Sequence, residues 1–136
     1  MSARYVAGFP AEGLPRSLET LYTFVAGVEG VETGASPTAA SHRFFKTELT
    51  TGGTEGAETY NLADGTGQMQ GRQRLLELVT LAEAGDSVAL DHANISQGDD
   101  TITGVALDAE DEFILLELRG DKWEVLFASS GVVSTN

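Results

Sequence analysis

The chain has 136 residues, enough for one domain with a sizeable core, and 41% of them are hydrophobic, as in an ordinary globular protein. Twenty-one acids stand against eight bases, a formal net charge of -13, and this repels nucleic acid and anionic membrane, because binding either needs a basic face. There is no cysteine, which excludes disulfides, thiolate zinc sites and cysteine nucleophiles, and no stretch approaches the roughly 18 apolar residues of a membrane span.

Only Lys46 and Lys122 are lysines; the other bases are arginines. Such an acid excess with few lysines is expected of a salt-adapted cytosolic protein, whose self-repulsion salt would screen. An ordinary acidic bacterial protein is the competing reading. Met1-Ser2-Ala3-Arg4-Tyr5 has no apolar h-region, so a cytoplasmic location is expected.

In chain order, residues 1–12 read as an irregular arm of a single domain, since Gly8-Phe9-Pro10 discourages helix. Leu14-Pro15 opens a predicted helix, in which Leu14, Leu18, Leu21, Tyr22, Val25 and Val28 recur at helical spacing before Gly30. A second helix is predicted from Ser36-Pro37 to about Leu49, capped by Ser36 and ended by Gly52-Gly53. Glu58 to Leu62 is a strand candidate, with Gln68 to Gln70 as its return in a small hairpin. A third helix is predicted on Leu75, Leu78, Val79 and Ala82, at i, i+3, i+4 and i+7, stopping at Gly85-Asp86.

From Ser87 to Ser130 the chain reads as a four-stranded antiparallel meander. Its turns are Gln97-Gly98-Asp99-Asp100, Ala109-Glu110-Asp111-Glu112 and Arg119-Gly120-Asp121-Lys122. Phe113 to Leu118 is apolar on both faces until Glu117 and is expected to be the central strand. In the first strand Val88, Leu90, His92 and Asn94 would share one face. No internal repeat is visible.

Two helices, a hairpin, a third helix and four strands is an order that resembles the superfamily of nuclear transport factor 2, ketosteroid isomerase and the SnoaL-like polyketide cyclases. Gly71-Arg72-Gln73-Arg74-Leu75-Leu76 resembles the stretch opening that family's third helix. Gly120-Asp121-Lys122-Trp123-Glu124-Val125 resembles its late turn and strand. The resemblance spans about residues 14–130. It implies an α+β fold, a curved antiparallel sheet wrapped around about three helices as a cystatin-like cone, with a pocket at its open end and dimerisation through the sheet. It transfers no activity, since that superfamily holds enzymes and non-enzymes.

Within such a cone His92 is the candidate catalytic acid or base, against a hydrogen-bonded core or rim histidine. Tyr22, Tyr60, Asn94 and Trp123 are candidate ligand-binding residues, through hydroxyl, amide or stacking contacts. The competing reading makes the aromatics core residues. His42 and Arg43 would line the pocket mouth or form a solvated helix face. Gly65 to Gly71 departs from the dinucleotide spacing. Asp108 to Glu112 lacks the calcium-loop spacing, so no cofactor or metal is expected. The first functional expectation is a small hydrophobic ligand in the cone pocket, with cofactor-independent isomerase, cyclase or dehydratase chemistry as its enzymatic form. The alternative is a non-catalytic homodimeric interaction module with a filled pocket.

Overall fold

The computed structural model describes residues 5–6, 9–10, 27–34, 36–40, 44–53, 56–62 and 69–136. Their strands are β1 (Tyr5–Val6), β2 (Phe9–Pro10), β3 (Val28–Glu32), β4 (Thr38–Ala39), β5 (Lys46–Thr50), β6 (Ala57–Asn61), β7 (Gln73–Thr80), β8 (Ser87–Leu90), β9 (Ile95–Ser96), β10 (Ile102–Leu107), β11 (Phe113–Arg119), β12 (Lys122–Ala128) and β13 (Val133–Thr135). One 3-10 turn, His92–Asn94, is the sole helical element among the described residues. The expected α+β cone, and with it the resemblance to the nuclear transport factor 2 superfamily, is therefore overturned: the described residues are all-β, with no α-helix among them for a sheet to wrap.

Two of the three predicted helices fall on strands, each for a local reason. The second one is replaced by β4 and β5, where threonines at 38, 47 and 50 favour a pleated backbone. The third is β7, whose residues alternate strictly: Arg74, Leu76 and Leu78 are buried, while Leu75 and Glu77 face outward. Leu75, Leu78, Val79 and Ala82 fit the helical period, and an inward arginine hides the alternation. The first helix lies outside the described residues up to 26, and its last apolar position, Val28, opens β3.

Two mixed sheets stack face to face. One runs β3-β5-β7-β11-β12-β9 and the other β13-β10-β8-β6-β4. From β3 to β8 the chain changes sheet at every strand, and successive visits to a sheet pair in parallel: β3 with β5, β5 with β7, β4 with β6, β6 with β8. This half is three turns of a flattened coil. β7 and β8 then pair antiparallel on their other sides, with β11 and β10.

The expected meander is thus corrected in part. β8 pairs with β10, and β11 and β12 form a hairpin, but β10 and β11 lie in different sheets. β6 pairs with β4 and β8 rather than with a return at Gln68 to Gln70. The β11–β12 turn is tight, Arg119 facing Lys122, with Gly120 at φ 68°. Glycine first of two turn residues matches the right-handed twist of its strands.

Inward side chains of both sheets form one core, including Leu49, Leu76, Leu78, Leu116 and Trp123 from one sheet and Tyr60, Val88, Leu90 and Leu107 from the other. Where the chain leaves the six-stranded sheet, three corners stack on one another. Thr33 closes the first by donating its N–H to Thr50 O at 2.9 Å and its hydroxyl to Glu58 Oε1 at 2.6 Å. Glu58 Oε1 also accepts from Gly52 N at 2.9 Å in the second corner. The Thr51 hydroxyl donates to Asp86 Oδ2 at 2.8 Å and accepts from Ala82 N at 2.6 Å in the third. Asp86 further accepts from Glu83 N at 3.1 Å and Gly56 N at 3.3 Å.

This stacking leaves no room at Gly52, where an added Cβ would sit 2.0 Å from Thr33 O. Gly52→Ala is therefore expected to lower stability by about 2 kcal/mol or more, because the obstructing atom is backbone. Urea titration of wild type and variant checks this.

Candidate functional site

Chemistry-bearing side chains collect in two regions, one inside the sandwich and one on its outer surface. The inner one centres on Arg74, which is fully buried at the start of β7. Its Nη2 donates to Thr47 Oγ1 at 2.7 Å and, at 3.5 Å, to the Tyr60 hydroxyl of the opposite sheet. Thr47 in turn donates to Glu29 Oε1 at 3.0 Å, and that carboxylate lies 3.7 Å from the guanidinium. Thr47 and Glu29 are paired positions on β5 and β3, so the polar row follows strand register. Arg74 Nε and Nη1 find no hydrogen-bond partner among the described residues. Burial and the neighbouring Arg74 charge pull the Arg72 guanidinium below its ordinary pKa.

Glu29, Thr47 and Arg74 form a chain of donors and acceptors with a neutralised charge, closed over by the core. Glu58 and Asp86 likewise spend their oxygens on threonine hydroxyls and backbone N–H groups of the corners. These carboxylates are acceptors that staple turns, and both are buried. Among the described residues, no three histidine, aspartate or glutamate side chains converge as a metal site.

The outer region is a cross-strand row on the six-stranded sheet. Val28, Lys46, Leu75, Leu115 and Phe127 are successive partners across β3, β5, β7, β11 and β12. Together with Phe45, Glu77 and Phe113, three of them (Leu75, Leu115 and Phe127) line a shallow depression of about 450 Å³. Phe127 is 69% exposed and Val28 56% exposed. Glutamates border the row on both sides: Glu48 and Glu77 pair on one, Glu117 and Glu124 on the other. Lys46 lies 3.6 Å from Glu48 and 3.5 Å from Glu77, and Arg119 lies 3.0 Å from Glu117.

The residues singled out from sequence fall in several places. His92 is exposed, because β8 ends at Leu90 and the Asp91 carboxylate accepts from Ala93 N at 3.1 Å to start the 3-10 turn. It does not continue the strand face of Val88 and Leu90. Asn94 is half-buried and donates to Leu62 O at 2.7 Å. Tyr60 and Trp123 are fully buried in the core, Tyr60 beside Arg74. Tyr22, His42 and Arg43 lie outside the described residues. Arg74, Thr47 and Glu29 went unnoticed in the sequence. The apolar outer face left one trace there, the two-sided apolarity of Phe113 to Leu118.

Comparison of the chain with protein-family models, with curated proteins and with solved structures finds no match. No helix among the described residues is long and apolar enough to cross a membrane.

Two expectations follow from the polar groups. Arg74→Ala removes the cation from a buried pair and leaves a cavity beside Thr47 and Tyr60, so a loss of about 3 kcal/mol is expected in chemical denaturation. Glu124 Oε2 accepts from the Ser96 hydroxyl at 2.6 Å and Oε1 from Gly98 N at 2.8 Å. These bonds hold its carboxyl below the ordinary glutamate pKa, the Ser96 bond most. Its support of β9 is therefore complete above the usual glutamate range and disappears as pH falls through the depressed folded value. Protection of the Gly98 amide from hydrogen exchange is expected to fall with acid in wild type and to be low and pH-independent in Glu124→Ala, which removes the acceptor.

Proposed function

We propose that this chain is a non-catalytic interaction module that pairs two copies through the outer face of its six-stranded sheet. One observation carries the reading: Phe127, 69% exposed, stands in an apolar cross-strand row with Leu75 and Leu115 that the described residues leave uncovered. A monomeric sheet normally keeps such a face polar.

The size of the face supports a second copy as the occupant. Five strands, five to eight residues long and about 4.8 Å apart, present roughly 500 Å² in projection, and the corrugated accessible area is larger. A standard interface takes ~800 Å² from each partner. The arrangement, an apolar centre with a charged rim, is also that of such interfaces. Two sheets stacked across this face would bring Phe127 and Leu115 of each copy against the same row of the other, as a two-fold axis requires.

A small hydrophobic ligand is the competing occupant, since about 450 Å³ lies within the range of ligand pockets. Light scattering coupled to gel filtration separates the two. The expected outcome is a wild-type dimer and a monomeric Phe127→Asp, its dissociation constant raised about 30-fold or more, as for an aromatic at an interface centre. A monomeric wild type whose melting temperature rises with a hydrophobic probe would favour the small ligand instead.

A further inference from the structure

The same face carries a second, opposing signal in its charges. Glu48 and Glu77 flank the apolar row on one side and Glu117 and Glu124 on the other, and among the described residues Lys46 and Arg119 are the bases paired with them. Both bases are already engaged on their own copy, Lys46 with Glu48 and Glu77 and Arg119 with Glu117. Their charge thus already offsets rim acids of the same copy, and two bases among four acids leave the rim acidic. A two-fold axis through the row would bring acidic rim against acidic rim, on copies that each carry a formal charge of -13.

We propose that pairing of two copies through this face is gated by ionic strength: repulsion holds the copies apart in dilute salt, and concentrated salt lets the apolar rows meet. The inference rests on the dimer reading given above. Its physical basis is the range of the two forces. The Debye length is about 30 Å at 0.01 M and about 3 Å at 1 M salt, so rim and whole-molecule repulsion is nearly unscreened at the first and short-ranged at the second. Burial of the Leu75, Leu115 and Phe127 row needs no charge and is not weakened by screening. Most charged interfaces behave oppositely and loosen in salt, because opposite charges hold them.

The test is sedimentation velocity of the full chain between 0.05 and 1 M KCl, starting from the lowest concentration at which circular dichroism retains the β-sheet signal. The dissociation constant is expected to fall at least about tenfold as salt rises. The double variant Glu48→Gln/Glu77→Gln removes two rim acids and frees Lys46; it is expected to pair more tightly than wild type in low salt and to show a smaller salt response. Equal pairing of wild type at both ends of the range would overturn the gating and leave the dimer standing. Pairing that loosens in salt would overturn it too, and would mean that ion pairs across the interface hold the copies together. A monomer at every salt concentration would sink the dimer reading itself.

Discussion

The stacked corners at one side of the sandwich are the constraint on which the rest depends. A chain that changes sheet at every strand must leave its ladder repeatedly, and each exit strands backbone N–H groups in a place closed to water. Glu58 and Asp86 answer this by accepting from the corner before and the corner after. Two buried carboxylates would ordinarily be costly. Here each is surrounded by several donors, which makes it a structural acceptor. With the corners fixed, β5 and β7 fall into parallel register, and the inward positions of both sheets meet in one core.

Arg74 plays a related part at the other end of β7. Its guanidinium lies among Thr47, Glu29 and Tyr60, and so ties three strands of two sheets. Replacing such groups by well-packed apolar residues is often neutral or stabilising, so a buried ion pair is weak evidence of stability. What it does supply here is a requirement of register: a one-residue slip of β7 would turn Arg74 out and Leu75 in, and leave Thr47 and Glu29 facing aliphatic carbon.

With the polar groups used inside, the outer face of the six-stranded sheet is the part of the described surface whose composition folding alone does not explain. Leu75, Leu115 and Phe127 add nothing to the inter-sheet core, yet they align in one row. Apolar side chains on a solvent face lower solubility, and the acidic rim and high net charge offset that tendency in the single copy. Apolar row and acidic rim thus sit on the same surface, and in the proposed pairing ionic strength sets their balance.

Several features were legible in the residues. Strands β8, β10, β11 and β12, the turns at Gly98, Asp111 and Gly120, and the central place of β11 follow from turn residues, apolar alternation and the two-sided apolarity of β11, which are local properties. The helical reading of Leu75 to Ala82 failed because Leu75, Leu78, Val79 and Ala82 fit the helical period and the buried Arg74 broke the apolar alternation. His92 looked like the continuation of a strand because nothing short of the Asp91 cap ends β8 before it. The coil from β3 to β8 shows no repeat in the sequence, since its strands run from two to eight residues and its connections differ in length.

By itself, then, the sequence determined where the chain turns, the acidic character of the surface, and the absence of any chemistry that needs cysteine. The tertiary structure alone decided which strands pair, in which direction and in which sheet. Those choices are made by contacts between residues far apart in the chain: a threonine hydroxyl reaching a carboxylate across two corners, or an arginine reaching a tyrosine in the facing sheet. No local pattern encodes such distances, and the apolar row on the outer face exists only because three strands, β7, β11 and β12, lie side by side.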